Sequence, residues 1–237
     1  AVVRAAQVPF LALIVFGAFI SSLAIIFITV DDSISQEFAD FSCMATVWLY
    51  SIGFMITTAA LYAKLYRIER LFDLDFGHRM AFGDKESRER YKNRVSQSTL
   101  SRHIAAWVAG DVVICLVWTF YQPLKFERTV TSTWNKGEPI ESYGMCDSEL
   151  SLVFVSIFIV YHLVALFRLA RMSYVCTEKK ISGAFSEAKY IRFSVFGATQ
   201  LFLLSIPLMF VVSDPESTVF LRSGLVFLND ASILAFL

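Results

Sequence analysis

Long apolar runs without a charged side chain constrain this chain more than any other feature of its sequence. Crossing the hydrocarbon core of a bilayer, about 30 Å thick, takes roughly 20 consecutive apolar residues in an α-helix. Lipid offers the backbone no hydrogen-bond partner, so only helices and closed barrels cross it, and these runs lack the alternation of barrel strands. Four runs contain no Asp, Glu, Lys or Arg: residues 9–30, 43–63, 150–167 and 193–213.

Two further apolar runs carry charges. Residues 104–124 contain Asp111, and residues 218–237 contain Arg222 and Asp230. Together the six runs predict an all-α fold, a polytopic transmembrane helix bundle. The predicted spans are residues 9–30, 43–66, 104–124, 149–170, 191–213 and 218–237.

The composition agrees with a membrane protein and argues against an enzyme. Apolar residues make up 56% of the chain and charged residues 18%, against about 25% charged in soluble domains. The 21 basic and 21 acidic side chains cancel, so nothing favours binding to nucleic acid. We find no catalytic motif, no metal-binding motif and no cofactor motif. His162, the one histidine inside a span, is expected to be a hydrogen-bonded helix contact.

The charges of the connecting segments predict the orientation, because loops rich in Lys and Arg stay in the cytoplasm. Segment 31–42 has four acids and no base, whereas segment 64–103 has ten bases and six acids. The next two segments repeat this alternation, which places both chain ends in the cytoplasm. The predicted extracellular loops are 31–42, 125–148 and 214–217, and the predicted cytoplasmic loops are 67–103 and 171–190.

Two of the four cysteines lie on the predicted outer side, where disulfides form. Cys43 begins the second span and Cys146 lies in the outer loop before the fourth span. We expect a disulfide between them, with two free thiols as the alternative. Cys115 in mid-span and Cys176 on the cytoplasmic side are expected to be reduced.

Three motifs resemble the class C G-protein-coupled receptors, in particular the metabotropic GABA-B type. YAKLYRIERLF (62–72) resembles the inner end of their third helix, GDVVICLVWTFYQPL (110–124) is similar to their fourth helix, and SEAKYIRFSVF (186–196) resembles the start of their sixth. The resemblance implies a seven-helix receptor fold whose second to seventh helices are the six spans. On this mapping the first helix would precede Ala1, and the end of the seventh would follow Leu237.

The resemblance also implies roles for particular residues. Cys43 and Cys146 fall where these receptors tie the third helix to the second outer loop. Lys64 and Glu187 correspond to an ionic lock of the inactive state, although both side chains could instead extend unpaired to the membrane surface. The basic residues expected to face the G protein are Arg67, Arg70 and Lys189. The inner loop 73–103 is longer than the family leads us to expect.

The function that the resemblance implies is transmembrane signalling at the plasma membrane. The chain would relay ligand binding from an extracellular ligand-binding domain outside this piece to a heterotrimeric G protein, as part of a receptor homodimer or heterodimer in the lipid bilayer. Two alternatives remain open from the sequence, a polytopic transporter and a non-signalling membrane scaffold.

Acidic residues inside the spans are the other candidates. Inserting an acidic residue near mid-membrane costs about 2.5 to 3.5 kcal/mol unless polar groups surround it. Asp111 is therefore expected to face the bundle. Asp111 either belongs to a polar network that rearranges on activation or is a neutral or hydrogen-bonded acid with only a structural role. Asp230 is a similar candidate. Its neighbour Asn229 points in a different direction, so we do not expect both to face inward without a partner.

Overall fold

The computed structural model describes residues 8–30, 35–71, 96–133, 139–178, 187–211 and 215–235. Within them the chain forms helices joined on one side by a β-hairpin. The elements in chain order are α1 (Val8–Ile28), α2 (Gln36–Leu71), α3 (Gln97–Tyr121), β1 (Lys125–Thr133), β2 (Pro139–Asp147), α4 (Ser151–Glu178), α5 (Glu187–Val211) and α6 (Pro215–Ala235).

The all-α membrane bundle expected from the sequence is confirmed. Of the six described helices, α1, α2, α3, α4 and α6 are long and apolar enough to cross a membrane. The apolar part of α5 that meets the same composition limit is shorter, Arg192–Leu208. Pro207 lies inside α5, where it removes one backbone hydrogen bond, which transmembrane helices tolerate when neighbouring groups compensate.

The helices extend beyond several of the predicted span limits. Helix α2 begins at Gln36 and ends at Leu71, so it contains half of the segment 31–42 and the start of the segment 67–103. Helix α4 continues to Glu178 and α5 begins at Glu187, so most of the predicted loop 171–190 is helical. Hydropathy reports only the part of a helix that contacts hydrocarbon, and polar turns at either end continue the same backbone hydrogen bonding.

Large apolar side chains point outward all around the bundle. Phe19, Phe120, Phe167 and Phe220 are all more than half exposed, as expected of side chains that contact lipid tails. The interior holds small and polar residues as well as apolar ones. Such helices therefore differ from those of soluble proteins, because lipid is as apolar as the core and does not drive apolar residues inward.

Helix α2 is the centre of the bundle. It packs against α1, α3 and α4, while α6 packs between α1 and α5, and α5 completes the circle against α4. Every other helix is therefore at the periphery on at least one side. Side chains of α2 can therefore reach polar groups on three neighbouring helices.

Helices α1 and α2 approach closely through glycine. A Cβ atom at Gly17 would lie 2.9 Å from the carbonyl oxygen of Gly53, and one at Gly53 would lie 2.7 Å from the carbonyl oxygen of Gly17. Real Cβ atoms do not approach other atoms so closely. Small residues at such a crossing are a common packing solution in membranes. The crossing also brings the backbone of Ser21 against α2.

The segment 125–148 was expected to be an outer loop, and the structure shows an antiparallel hairpin there. Lys125 pairs with Asp147 and Phe126 with Cys146, and the register shifts on either side of Ser132. A Cβ atom at Gly144 would collide with the ring of Phe126, so the hairpin needs glycine at that position. The sequence gives little sign of these strands because they lack a regular apolar alternation.

Candidate functional site

Three buried side chains from three helices meet inside the bundle. Ser51 of α2 hydrogen-bonds the carboxylate of Asp111 on α3, with its Oγ 2.9 Å from Oδ1 and 2.8 Å from Oδ2. Nε2 of His162 on α4 lies 3.3 Å from Oδ1 of Asp111 and 3.3 Å from Oγ of Ser51. Asp111 is fully buried, and the other two are 3% exposed. We call these three residues the polar core.

Two further hydrogen bonds align α3 with its neighbours. Toward the hairpin end of the bundle, Nε1 of Trp48 on α2 donates to Oγ1 of Thr119 at 3.0 Å. Toward the opposite end, the hydroxyl of Tyr161 on α4 donates to the carbonyl oxygen of Trp107 at 2.7 Å. These contacts flank the polar core along α3. They hold Asp111 at the height of Ser51 and His162, since a helix rises about 1.5 Å per residue and a small slide would separate the groups.

Aromatic rings enclose the histidine and extend the contact to a fourth helix. The ring of His162 lies 4.9 Å from that of Phe54, 5.8 Å from that of Phe158 and 6.1 Å from that of Phe202 between centroids. Phe202 belongs to α5 and stacks on Phe54 of α2 at 5.5 Å. The rings exclude water from the polar core, which strengthens its hydrogen bonds. A displacement of α5 would therefore change the packing around His162.

Serine, histidine and aspartate together also occur in hydrolases, but the geometry here differs. In a hydrolytic triad the histidine lies between the other two and uses one ring nitrogen for each. Here Nε2 of His162 faces both partners, and Ser51 contacts the carboxylate directly. All three groups are buried, so the hydroxyl is not open to a substrate. The arrangement ties helices together and does not present a nucleophile.

A second polar cluster lies between α1 and α6. Oγ of Ser22 donates to Oδ2 of Asp230 at 2.8 Å, and the adjacent residues Ser21 and Asn229 are also buried. Asn229 and Asp230, which were not expected both to face inward without a partner, are each 4% exposed, and Asp230 has Ser22 as a partner. Adjacent helical residues point about 100° apart, and α6 packs against both α1 and α5, so both directions are covered. We call these four residues the α1–α6 cluster.

The hairpin end of the bundle is cross-linked. A disulfide joins Cys43 on α2 to Cys146 on β2, the pairing that the sequence analysis expected. Oδ1 of Asp40 accepts a hydrogen bond from the backbone N–H of Phe126 at 2.7 Å, and Nε2 of Gln36 donates to the carbonyl oxygen of Phe126 at 2.7 Å. The hairpin is thus attached to α2 through both strands. Cys115 and Cys176 are free and buried.

At the opposite end, α2 carries three of the predicted lock and docking residues, Lys64, Arg67 and Arg70. Lys64 is 5% exposed, so its side chain lies within the bundle. The guanidinium of Arg70 lies 5.2 Å over the ring of Tyr66, with its Nε 3.4 Å from Oε2 of Glu69. Arg67 is half-buried. Glu187 and Lys189 lie in the first turn of α5, and their side chains lie outside the described part of the chain, so the lock stays a prediction.

Several residues of these sites were not identified from the sequence. Ser51, Ser21 and Ser22 lie in apolar runs where serine is common, and only the position of their partners gives them a role. The expectation that His162 is a hydrogen-bonded helix contact agrees with the structure, but its partners were not predicted. Within the described residues, no group of three His, Cys, Asp or Glu side chains could hold a metal ion.

Comparison with known families connects this architecture to a receptor family. A family model described as "7 transmembrane sweet-taste receptor of 3 GCPR" matches residues 1–237, the whole chain. This chain belongs to the class C, or family 3, G-protein-coupled receptors. The membership expected from the three motifs is confirmed, and the chain is a multi-pass membrane protein.

This class C chain is also similar to several curated proteins. It is 21% identical to gamma-aminobutyric acid type B receptor subunit 1 of Rattus norvegicus over 197 residues, 78% of this chain and 19% of that receptor. It is 26% identical to metabotropic glutamate receptor-like protein B of Dictyostelium discoideum over 212 residues, 88% of this chain and 25% of that protein. Protein O of the same organism is 29% identical over 136 residues, 56% of this chain and 14% of that protein. The chain thus spans a quarter or less of these relatives.

Proposed function

We propose that this chain is the transmembrane signalling part of a GABA-B-like class C receptor and relays extracellular ligand binding to a heterotrimeric G protein. The observation that carries the proposal is the polar core of Ser51, Asp111 and His162, which ties α2, α3 and α4 together in a chain of this family. Signalling across a membrane requires helices that change their relative positions between two states. A buried polar contact shared by three helices is suited to favour one of those states.

The polar core would act by biasing an equilibrium between two packings of the bundle. Moving α4 or α3 away from α2 breaks the contacts of Asp111 with Ser51 and His162. A buried polar group left without its partner costs about 1 to 3 kcal/mol, and couplings between distant sites are of the same size. A ligand that favours the other packing must supply this difference. The aromatic contact of Phe202 with His162 includes α5 in the same change.

A second control point is proposed at the inner end of α2 and α5. Lys64 is buried near the end of α2, and Glu187 begins α5. An ion pair between them would hold the two inner ends together in the inactive state. Its separation would expose the surface to which Arg67, Arg70 and Lys189 belong, and the G protein would dock there. Removing one partner of a buried ion pair is strongly destabilising to the closed arrangement.

The rest of the proposed assembly follows from the family. An extracellular ligand-binding domain outside this piece would act on the hairpin end of the bundle, where β1 and β2 are fastened to α2. The receptor would work as a homodimer or heterodimer in the plasma membrane. The likeness to gamma-aminobutyric acid type B receptor subunit 1 supports an amino acid or a similar small polar molecule as the ligand of the whole protein.

Guanine-nucleotide exchange by the full-length protein tests this function. The protein is reconstituted in lipid nanodiscs with purified heterotrimers, one from each major Gα class, and GTP binding is followed without ligand. We expect basal exchange above that of empty nanodiscs for at least one class, and a rise of about tenfold in Asp111→Asn, because the amide offers the polar core one acceptor oxygen where the carboxylate offers two. Asp147→Asn, an exposed carboxylate of β2, is the control and is expected to match the wild type.

Absence of exchange with every heterotrimer, for the wild type and for Asp111→Asn, would contradict the proposal and favour a non-signalling membrane scaffold. Substrate flux across proteoliposomes without any exchange would favour a transporter. A folding defect in Asp111→Asn is recognised independently by its thermal unfolding in the same nanodiscs.

A further inference from the structure

A groove opens between α3 and α4 toward the end of the bundle opposite the hairpin. Its floor is the surface of α2 around Thr58 and Tyr62, and its sides carry Trp107 of α3 and Ala165 and Arg168 of α4. The groove exists because α3 and α4 both pack on α2 and contact each other far less. We call it the α3–α4 groove. It opens toward the outside of the bundle, since Arg168 is exposed.

Arg168 lies at this groove without a charged partner. Its Cζ atom is 5.5 Å from the centroid of the Trp107 ring, a distance at which a cation and a ring attract each other. Among the residues that the structure describes, no carboxylate forms an ion pair with Arg168. Arg168 lies two residues before the end of its predicted span, 149–170. A cation at the edge of the hydrocarbon is costly without a counter-charge, so an anion from outside these residues would stabilise it.

The mouth of the groove carries positive charge. The exposed basic side chains at this end of α3 and α4 are Arg102, His103, Arg168 and Arg171. Neither residues 97–110 of α3 nor residues 161–177 of α4 contain Asp or Glu. On α2, the acid at this end is Glu69, which lies 3.4 Å from Arg70. The charge around the groove therefore favours an anionic partner.

We propose that the α3–α4 groove binds an anionic phospholipid of the cytoplasmic leaflet, with the lipid phosphate against Arg168 and the acyl chains in the surrounding bilayer. Anionic lipids give the cytoplasmic leaflet its negative surface potential, and the predicted orientation places this end of the bundle there. Basic pockets between transmembrane helices on that side suit lipid headgroups. A guanidinium can also donate two parallel hydrogen bonds to one phosphate. The site is independent of the proposed signalling function.

Protein contacts position the cation before lipid binds. The hydroxyl of Tyr161 donates to the carbonyl oxygen of Trp107 at 2.7 Å, and the two rings lie 5.5 Å apart. Trp107 is thus fixed against α4, and its ring keeps the guanidinium of Arg168 beside the groove. A positioned side chain loses less conformational freedom on binding. The groove should therefore bind lipid more tightly than an unsupported arginine at the membrane surface does.

Native mass spectrometry of the full-length protein tests the site. The protein in detergent micelles is given equal amounts of phosphatidylserine and phosphatidylcholine with identical acyl chains, and the ratio of the two bound lipids is measured. We expect about tenfold more phosphatidylserine on the wild type, and a ratio about fivefold lower in Arg168→Gln, since one basic residue contributes about 1 kcal/mol near an anionic surface. Arg192→Gln removes an exposed cation of α5 at the same end, and this matched control should keep the wild-type ratio.

Trp107→Leu separates a formed groove from general attraction of anionic lipid. It keeps the charge of Arg168 but removes the ring that positions the guanidinium. The ratio should fall about two- to fivefold, since a cation–π contact at an exposed site contributes about 0.5 to 1 kcal/mol. An unchanged ratio in folded Trp107→Leu would contradict the proposal. If thermal unfolding shows that this variant does not fold, Arg168→Gln with its control decides the question, because that position is exposed.

Three further results would overturn the proposal. The first is a wild-type protein that binds the two lipids equally. The second is an equal loss of preference in Arg168→Gln and Arg192→Gln, which would assign the preference to the overall charge of this end of the bundle. The third is displacement of phosphatidylserine by an excess of inorganic phosphate, which would assign the groove to a soluble anion.

Discussion

Nε2 of His162 lies 3.3 Å from Oδ1 of Asp111, and both side chains are buried between α3 and α4. The pair is not isolated, because Ser51 of α2 contacts both residues. Replacing either member therefore leaves the other in contact with Ser51 but without its second partner, in a dry environment. The stability of the bundle should depend on the three residues as a unit.

A double-mutant cycle tests whether Asp111 and His162 contribute to stability as a unit. His162→Phe keeps a ring of similar size within its aromatic surroundings but removes the contact with Asp111, and we expect a loss of about 1 to 3 kcal/mol in stability. Asp111→Asn should cost a similar amount. In the double variant the losses should not add, with a coupling energy of about 0.5 to 3 kcal/mol. Thermal unfolding of the four proteins measures it, and strict additivity would contradict a shared contact.

The crossing of α1 and α2 predicts a position-dependent effect of alanine. Gly53→Ala places a methyl group 2.5 Å from the backbone nitrogen of Ser21 and must push the helices apart, so we expect Tm to fall by several degrees. Gly224→Ala on α6 is the matched control, because its methyl group would have no described neighbour within 4 Å. It should be neutral or slightly stabilising, since alanine favours helix by about 1 kcal/mol. Equal effects at the two positions would contradict the close crossing.

The disulfide predicts sensitivity to reduction. Cys43 and Cys146 are 103 residues apart in sequence, and closing a loop of that length stabilises a soluble protein by about 4 to 5 kcal/mol according to chain-entropy theory. We expect dithiothreitol to lower Tm of the wild type by several degrees. Cys43→Ser should lower Tm similarly and remove the effect of the reductant. A reductant effect of full size in Cys43→Ser would assign it to another thiol.

Attachment of the hairpin to α2 predicts a local change in hydrogen exchange. Asp40→Ala removes the acceptor of the Phe126 N–H, so amide exchange in β1 should accelerate, by about tenfold for a contribution of about 1.4 kcal/mol. Glu127→Ala replaces an exposed side chain on the same strand and should leave exchange unchanged. Mass spectrometry of peptides covering 125–133 makes the comparison. Identical protection in the wild type and Asp40→Ala would show that the contact does not hold the strand.

The sequence was sufficient to predict the elements that contact lipid. Each of the six predicted spans overlaps a described helix. Asp111, which was expected to face the bundle because an intramembrane acid needs polar neighbours, is fully buried. The cysteines on the predicted outer side correctly suggested their pairing. Each of these conclusions depends on one residue type in a hydrophobic environment, where the physical constraint is strong.

Features that depend on three-dimensional neighbours could not be predicted. Ser51 and Ser22 resemble other serines of the apolar runs until Asp111 and Asp230 are brought beside them. The hairpin is held by its cross-strand pairing and its attachment to α2, which no local pattern indicates. Asn229 and Asp230 could not be assigned a direction from the sequence, because the helices that pack on either side of α6 are known only from the structure.

Reversing the charges of Lys64 and Glu187, singly and together, tests the proposed signalling mechanism most directly. Ligand-independent nucleotide exchange on the G protein is measured for the full-length wild type, Lys64→Glu, Glu187→Lys and the double variant, with Arg102→Glu, an exposed residue of α3, as control. The account predicts a rise of about tenfold in each single variant and a return toward the wild-type rate in the double variant, because the pair is restored with reversed charges. Wild-type rates in both single variants, or a double variant as active as the single ones, would contradict it.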